Sequence, residues 1–485
     1  MAFGRKNTAY SYRLLPTASA TAYFSFMDTI VALATPTGRS GIGVIRLSGA
    51  VALKIAQKLV SDENFSPPPR QTTLKKIHDI ENGEVIDEAV ITFFQNPHSF
   101  TGEDVIEISC HGSPVLLRQI IDFCLRLDAR MAEPGEFTLR ALANGRMNLS
   151  QAEAVRDLID AHTAAAARQS IRQLRGELSN ELQPLKDSLL ECIVVLESAL
   201  EFVEDDLPEV QSENVKQKLL SVADNTGKMA DTFRAGKLLR EGLKVALAGK
   251  PNVGKSSLFN ALLGHDRAIV TEIAGTTRDQ LHEKFTIGNI PVSLIDTAGL
   301  RETFDTVESI GVERSRRALA DADLVVVVLD GSQELEDEDR EIIKSVGDQT
   351  RIVLINKIDL ISDEAAAKFV ENLQFTIHHS PFTIVQVSAK TGAGLSGLEQ
   401  AIIGPFSTND IGSSGFLISD ARHHDLLLRA QTEILSSINL LEQKVSEEIV
   451  LVGLHNALRY LGEITGETTT EDMLTRIFST FCIGK

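Results

Sequence analysis

The sequence predicts a multidomain protein that combines α/β and all-helical regions: an N-terminal α+β domain, a helical bundle, and a doubly wound α/β domain inserted into the bundle. Three observations predict this fold class. Short β-like runs fill residues 28–145, an apolar stripe with the helical period begins near residue 150, and a glycine-rich loop, Gly249–Ser256, lies between a strand pattern and a helix pattern. The chain has 485 residues, enough for about three domains.

Four runs rich in β-branched residues predict the strands of the N-terminal domain, together with one or two helices. They are Thr29–Ala34, Gly43–Leu47, Ala89–Phe94 and Val105–Ser109. Residues 1–27 carry three basic residues and no acidic one. They are either an organelle targeting peptide or extra sequence ahead of a true start at Met27, and the second interpretation is favoured.

A stripe of apolar residues from Ile171 to Leu200 recurs with the helical period and predicts helices packed in a bundle. Pro184 interrupts this stripe, so a kink or a break is expected there. The helical period resumes between Leu427 and Val445, so helices flank the inserted domain on both sides. The predicted domains are 28–145 (α+β), 146–242 (helical, first part), 243–406 (inserted domain) and 407–485 (helical, second part).

The glycine-rich loop, Gly249–Ser256, follows the buried run Val245–Ala248 and precedes a helix predicted over Ser257–Leu263. Its glycines let successive backbone amides point at phosphate oxygens. Lys255 is expected to reach the β- and γ-phosphates and the Ser256 hydroxyl to ligate Mg²⁺. The sequence therefore predicts that the chain binds a nucleoside triphosphate.

Two later motifs predict that the base is guanine. Asn356–Asp359 follows an apolar strand pattern, and the Asp359 carboxylate can accept hydrogen bonds from the N1–H and N2–H₂ edge of guanine, which adenine lacks. Ser388–Lys390 follows a second strand pattern and would contact the base through a backbone amide. A site built around a buried polar partner discriminates strongly between bases.

A further motif would hold the metal. Asp296–Gly299 follows a predicted strand; Asp296 would hold Mg²⁺ through water, and the Gly299 amide would face the γ-phosphate. Thr271–Asp279 offers a threonine ligand for Mg²⁺ in a mobile switch loop, and its two adjacent threonines leave the choice between them open.

Leu300 occupies the position after the Asp-x-x-Gly motif, where Ras-like enzymes have a glutamine that orients the attacking water. Leucine can neither donate nor accept a hydrogen bond, so hydrolysis needs another polar group, and Glu302 and Glu308 are the nearby candidates. A monovalent cation could supply positive charge between the phosphates. The side-chain carbonyl of Asn252 is suited to hold such a cation, or Asn252 merely shapes the loop.

The composition excludes some classes of function. A net charge of −19 is unusual for a protein whose main task is to grip a phosphate backbone, so nucleic-acid contact is expected to be local or shared with a partner. The four cysteines, Cys110, Cys124, Cys192 and Cys482, show no metal-ligand spacing and predict free thiols in a reducing, cytoplasmic compartment. No run approaches the roughly 18 apolar residues of a membrane helix, so no membrane insertion is expected.

The C-terminal region ends in a predicted helix. Thr469 and Asp472 form a capping-box-like start, and apolar residues of Met473–Phe481 follow with the helical period. The chain stops at Cys482–Lys485. Taken from the residues alone, a frayed tail without function is favoured over a docked segment that presents a reactive thiol.

From Met27 onward the chain resembles, over essentially its whole length, the family of tRNA modification GTPases called MnmE or TrmE. The matching motifs are Ala34–Arg39 with Gly41–Arg46, Ser99–Asp104, Pro134–Thr138, Gln151–Ala154, Gly275–Asp279 and Cys482–Lys485. The resemblance implies that the inserted domain is a Ras-like P-loop GTPase domain. It also implies that the N-terminal domain binds tetrahydrofolate and forms a homodimer.

The resemblance implies a GTP hydrolase (EC 3.6 class) that is activated when GTPase domains dimerise around K⁺. The K⁺ ligands would be Asn252, Thr271, Ile273 and Thr276, and Mg²⁺ would be held by Ser256 and Thr277. Glu308, not Glu302, would orient the water, with Lys255 also catalytic. The implied GTP-binding residues are Asn252, Val253, Gly254, Lys255, Ser256, Ser257, Thr271, Thr277, Asp296, Thr297, Ala298, Gly299, Asn356, Lys357, Asp359, Ser388, Ala389 and Lys390.

The resemblance also implies a modification reaction. An FAD-containing partner, MnmG, would join the chain in a heterotetramer or larger complex. Together they would add a carboxymethylaminomethyl-type group at C5 of the wobble uridine (position 34) of certain tRNAs, using 5,10-methylene- or 5-formyl-tetrahydrofolate. The folate contacts would be Arg46, Glu107, Arg146 and Lys485, with the catalytic Cys482 beside the folate, which reverses the interpretation of the tail.

Two other classes are weighed against this one. A ribosome-assembly GTPase acting as an RNA-binding switch usually carries an appended basic RNA-binding domain, whereas the C-terminal region here is predicted to be helical. A membrane transport GTPase would need spanning segments that the sequence does not contain.

Overall fold

The structure is a computed structural model that describes residues 28–201, 209–265, 282–296, 321–346, 349–376, 382–406, 415–468 and 470–484. The chain divides into two compact units. The first contains the described residues of Met1–Ile159, Arg172–Ala223 and Arg429–Lys485. The second contains those of Asp160–Ile171 and Asp224–Leu428.

The first unit begins with a six-stranded sheet of order β3-β4-β5-β2-β1-β6. Its strands are β1 Thr29–Leu33, β2 Ser40–Ser48, β3 Thr72–His78, β4 Val85–Phe94, β5 Val105–Gly112 and β6 Ala129–Met131. Neighbouring strands are antiparallel except β1 and β6. Alternate residues of β4, namely Ala89, Ile91 and Phe93, are buried, as expected of a strand with one face on the core. The helices that accompany this sheet are Ala52–Leu59, Pro114–Arg126 and Glu136–Ala143.

Helices dominate the rest of the chain outside the nucleotide-binding sheet. They are Leu149–Ile159, Ala164–Leu174, Glu177–Glu201, Glu209–Asp231, Phe233–Glu241, Ala421–Glu442, Glu447–Thr465 and Glu471–Phe478. Leu178, Leu182, Leu189 and Leu196 are fully buried along Glu177–Glu201. The predicted stripe therefore forms a helix-packing core.

Of the kink or break expected at Pro184, the break does not occur, because the helix Glu177–Glu201 continues through it. Pro184 and Asn180 both lie on the exposed face, where water can bond to the carbonyl oxygen of Asn180 that lacks its helical donor. The apolar stripe is instead broken at Gly176, whose φ of 85° lies in the left-handed region. Glycine adopts this conformation without a steric cost.

The second unit contains a six-stranded sheet of order β12-β11-β10-β7-β9-β8. Its strands are β7 Leu243–Ala248, β8 His282–Ile287, β9 Ile290–Asp296, β10 Leu324–Asp330, β11 Arg351–Asn356 and β12 Thr383–Gln386. All neighbours are parallel except β8, which pairs antiparallel with β9. The helices are Lys255–His265, Asp337–Ser345, Asp363–Thr376 and Leu395–Ile403, with short 3₁₀ turns at Ile358–Leu360 and Gly404–Phe406.

Strand β10 is buried along its whole length, as parallel strands covered on both faces are. Val326 packs into the apolar cluster on one face of the sheet, and Val325 and Val327 pack into the cluster on the other. This is the doubly wound arrangement that the sequence predicts. The carboxyl ends of the five parallel strands meet at one edge, where ligands of such sheets bind.

The predicted fold class is confirmed, with small corrections to its elements. Strands β3, β6 and β8 were not predicted: β3 is largely exposed, and β6 has three residues. The last helix begins after Thr470, which makes no side-chain capping hydrogen bond. Thr469, the predicted cap, lies outside the described residues.

Candidate functional site

The phosphate loop, Gly249–Ser256, connects β7 to the following helix at the carboxyl edge of the parallel sheet. Gly254 has a φ of 99°, and a Cβ there would lie 2.3 Å from the Nδ2 of Asn356. Only glycine therefore allows this approach of the two loops. Asn252 has a φ of 64°, a conformation that asparagine tolerates better than most residues.

Lys255 lies inside the curl of the phosphate loop and is 6% exposed. Its Nζ donates hydrogen bonds to the carbonyl oxygens of Gly249 at 2.7 Å and Lys250 at 2.6 Å. Ser256 and Ser257 are exposed on the first turn of the helix. An ammonium group beside free helix N-terminal amides fits a phosphate anion.

Asn356, 2% exposed, joins the phosphate loop to both predicted guanine loops. Its Nδ2 donates to the carbonyl oxygen of Val253 at 2.8 Å, and its Oδ1 accepts from the Ala389 amide at 3.0 Å. A buried side-chain amide that is satisfied on both sides fixes its neighbours. The structure thus brings together three motifs that are far apart in the sequence.

The Asp359 carboxylate lies next to the third motif. Ser388, which is fully buried, donates from its Oγ to Asp359 Oδ1 at 2.6 Å. Asp359 is exposed, and a carboxylate offers about four lone-pair positions. It therefore keeps the capacity to accept two N–H donors from a base.

Two lysines of the site pair with carboxylates that the sequence analysis missed. Lys357 Nζ lies 2.6 Å from Asp330 Oδ2, and Lys250 Nζ lies 2.8 Å from Asp339 and 2.7 Å from Glu336. Burial alone would raise the pKa of Asp330, but hydrogen bonds from Lys357 and Ser332 hold that pKa below its ordinary value. Hydrogen bonds to Asp339 and Glu336 hold the pKa of Lys250 above its ordinary value. An acid at the end of a buried strand was the signal that could have found Asp330.

Asp296 is the last residue of β9 and lies beside Leu247 in the parallel register, at the same edge as the phosphate loop. The Ser256 hydroxyl and the Asp296 carboxyl group are hard oxygen ligands of the kind that Mg²⁺ prefers. In the part of the chain that the structure describes, no group of three His, Cys, Asp or Glu side chains could hold a metal ion. The predicted site residues outside the described residues are Thr271, Ile273, Thr276, Thr277, Thr297, Ala298, Gly299, Glu308 and Lys485.

A second cluster lies on the N-terminal sheet, where Arg46 of β2 is opposite Glu107 of β5. The Nε and Nη2 of Arg46 donate to Glu107 Oε1 at 2.9 Å and 2.7 Å. The guanidinium carbon lies 5.9 Å from the ring centre of Phe100 and 5.8 Å from that of Phe137. Nη1 donates to the carbonyl oxygen of Gly484 at 3.2 Å, so the predicted folate contacts Arg46 and Glu107 meet next to the chain's last residues.

Arg146 is exposed and lies beside the loop Ser99–Asp104, since a Cβ built at Gly102 would lie 3.3 Å from Arg146 Cγ. Phe100 of this loop faces Arg46. The loop therefore lies next to both arginines.

The terminal segment, Ser479–Gly484, is docked on the N-terminal domain. The Gly135 amide donates to the Cys482 carbonyl oxygen at 3.4 Å, and a Cβ at Gly484 would lie 2.5 Å from the Leu33 carbonyl oxygen. The frayed tail favoured from the residues alone is therefore wrong. The apolar side of the last helix packs against the helix Leu149–Ile159 and holds the terminal segment in place.

Cys482 differs from the other cysteines in exposure. Cys110, Cys124 and Cys192 are buried, and Cys482 is exposed. Burial raises the pKa of Cys110 and Cys192 to about 11 and that of Cys124 to about 12. A thiolate-directed reagent should therefore react at Cys482 first.

Among the described helices, none combines the length and the apolarity needed to span a bilayer.

Comparisons with known families match both parts of the chain. The model described as "MnmE helical domain" matches residues 149–482. The model described as "GTP-binding protein TrmE N-terminus" matches residues 29–146.

Three similar relatives carry the name tRNA modification GTPase MnmE. The relative from Koribacter versatilis is 43% identical over 461 residues, which cover 94% of this chain and 99% of the relative. The relative from Aquifex aeolicus is 44% identical over 94% of this chain and 100% of its own length. That from Clostridioides difficile is 42% identical over 94% of this chain and 99% of its own length.

Proposed function

The chain belongs to the MnmE family of tRNA modification GTPases, and from that premise we propose that it hydrolyses GTP in order to modify C5 of the wobble uridine (position 34) of certain tRNAs. The observation that carries the nucleotide part is the Asn356 bridge, which connects the phosphate loop to the Ser388–Lys390 motif. Such a bridge lets a triphosphate and its guanine base bind to one rigid edge of the sheet.

GTP binding is assigned to the residues at this edge. Lys255 leaves its two loop carbonyl groups to bind the β- and γ-phosphates, and Asp359 accepts the two N–H donors of guanine. Mg²⁺ would be held by Ser256, Thr277 and, through water, Asp296. When bound, it neutralises phosphate charge that builds up as the terminal phosphate leaves.

K⁺ is proposed to complete the site, with Asn252, Thr271, Ile273 and Thr276 as its ligands in a pair of GTPase domains. The left-handed backbone at Asn252 supports this, because it places an exposed asparagine at a turn of the phosphate loop. GTP turnover should be at least about tenfold faster in K⁺ than in Na⁺, measured as phosphate release at equal ionic strength. Asn252→Ala should remove the difference; equal rates in both salts for the unaltered protein would refute the cation role.

The modification chemistry is proposed for the N-terminal domain. A carboxylate such as Glu107 can accept hydrogen bonds from the amino-pyrimidine edge of a pterin, as Asp359 does from guanine. Arg46, Arg146 and Lys485 would then bind the remaining polar groups of 5,10-methylene- or 5-formyl-tetrahydrofolate. The exposed thiol of Cys482 is carried by the segment that contacts Arg46.

The partner and the assembly are part of the same proposal. A homodimer is proposed to form through the N-terminal domain, and MnmG, which would carry FAD, is proposed to join it in a heterotetramer or larger complex that binds tRNA. The chain's net charge of −19 is unfavourable for binding a phosphate backbone, so the partner would supply many of the basic contacts to tRNA. The domain limits 28–145, 146–242, 243–406 and 407–485 remain predictions.

Cys482→Ser should abolish the modification and leave GTP turnover unchanged, because the thiol is on the N-terminal unit and the GTP residues are on the other. The measurement is mass analysis of wobble uridines from cells that lack the gene and are complemented with each variant. Cys192→Ser, a change at a buried cysteine, is the matched control. Full modification in the Cys482→Ser strain would show that the thiol is not essential, and full modification without the gene would refute the proposed function.

A further inference from the structure

Arg156, on the helix Leu149–Ile159, contacts the two residues that precede Cys482. Its Nη1 donates to the Thr480 hydroxyl at 2.8 Å. Its guanidinium carbon lies 5.6 Å from the centre of the Phe481 ring, within the range of a cation–π contact. The hydrogen bond to Thr480 joins positions 324 residues apart in the chain.

The Arg156 side chain is itself held in place. Nη2 and Nε donate to Asp157 Oδ1 at 3.2 Å and 3.4 Å, and the Arg156 side chain is 20% exposed. A planar guanidinium that bonds to a carboxylate and a hydroxyl while stacking on a ring cannot be replaced by lysine without losing part of this geometry.

A buried apolar cluster, called the apolar seat below, lies beside this contact. Leu149 and Ala152, on the same helix as Arg156, form one buried cluster with Leu474, Phe478 and Phe481. The seat fixes the position of the last helix. It does not fix the direction in which the chain continues after Phe481, because non-directional packing leaves that rotation open.

The terminal segment is also held beyond the thiol. The Gly135 amide donates to the Cys482 carbonyl oxygen at 3.4 Å, and Arg46 donates to the Gly484 carbonyl oxygen at 3.2 Å. Arg156 therefore contacts Thr480 and Phe481, before Cys482. Arg46 contacts Gly484, two positions after it.

We propose that Arg156 is a positioning residue for the modification reaction, which directs the chain at Thr480 and Phe481 so that the Cys482 thiol faces the Arg46–Glu107 cluster. This inference rests on the proposed function of Cys482. Arg156 does not contact the reacting atoms, and its effect is confined to the orientation of the terminal segment.

The test uses a nitroxide spin label on Cys482 in the full-length protein, since the other three cysteines are buried. In the unaltered protein the label should report a slowly moving, docked segment. Arg156→Met and Thr480→Ala should each add a population with the nanosecond mobility of a free terminus, and Arg156→Lys should give an intermediate spectrum.

Activity is measured on the unlabelled proteins. Wobble-uridine modification should fall by about 10- to 100-fold in Arg156→Met, because a misplaced reacting group costs this much. GTP turnover should stay within about twofold, because the GTP residues lie on the other unit. The matched control is Arg459→Met, since Arg459 also stacks on an aromatic ring, and its ring and carboxylate partners, Tyr460 and Glu463, are on its own helix rather than on the terminal segment.

An unchanged spectrum in Arg156→Met would overturn the inference, as would an equal loss of modification in Arg459→Met. A mobile label with full modification would overturn it too, because the reaction would then not depend on the anchored segment. The proposed function of Cys482 is decided separately, by the modification level of Cys482→Ser.

Discussion

Asp359→Asn should change the base preference of this GTPase from guanine to xanthine. An asparagine at this position accepts one hydrogen bond from the base but presents an N–H₂ group to the second donor of guanine, so one polar contact becomes repulsive. Xanthine carries a carbonyl oxygen at that position, which the new amide can bind. A site that leaves polar groups unpaired rejects a ligand by up to about 10⁴-fold, and we expect GDP affinity to fall by about 10²- to 10⁴-fold while XDP affinity rises.

The measurement is the dissociation constant of each nucleotide by fluorescence competition. The hydrogen bond from Ser388 can persist, because the amide oxygen of asparagine accepts as a carboxylate does, so the loop should keep its structure. Asp363→Asn, a change of the same kind on an exposed residue four positions away, should affect neither nucleotide. Loss of GDP binding with no gain of XDP binding would mean that Asp359 supports the loop rather than reading the base.

Glu308→Ala should lower the turnover of GTP by about 10²- to 10³-fold while GTP affinity stays within about twofold. Leu300 cannot orient water, so the proposal gives this task to Glu308, which lies outside the described residues. A group that acts in the transition state affects kcat and not ground-state binding. Single-turnover phosphate release and nucleotide titration measure the two quantities separately.

Glu302→Ala is the matched control, because the sequence places two glutamates near Leu300 and only one is assigned the role. It should keep nearly full turnover. If Glu302→Ala lost activity and Glu308→Ala did not, the assignment would be reversed. A parallel loss of GTP binding in Glu308→Ala would make the residue structural.

Much of the nucleotide domain could be predicted because its signals are local. Leu324–Leu329 is an unbroken apolar run that forms most of the fully buried strand Leu324–Asp330. The phosphate loop lies between the strand and the helix that its sequence requires. Local signals also failed in places. The break expected as one outcome at Pro184 does not occur, because the exposed position of Pro184 makes the lost hydrogen bond tolerable. Exposure depends on packing that the sequence pattern shows only in part.

The contacts that assemble each site could not be predicted in this way. Asn356 was assigned to the guanine motif, but nothing in its neighbourhood indicated that its amide would join Val253 to Ala389. The ion pair between Lys250 and Asp339 was missed for the same reason. Charged residues follow no periodic pattern along the chain that would indicate which of them meet.

The sequence by itself determined most of the strands and helices, the guanine and phosphate motifs, and the family, because each depends on residues within one short stretch or on their order along the chain. Only the tertiary structure decided that the last residues lie against the first sheet, where Arg46 bonds to Gly484 across 438 positions. The physical reason is that burial of any apolar surface lowers the free energy, whatever its direction. A hydrogen bond, in contrast, needs its two atoms at a set distance and angle. Packing of the whole unit sets that distance, and it brings the residues on either side of Cys482 against Arg156 and Arg46.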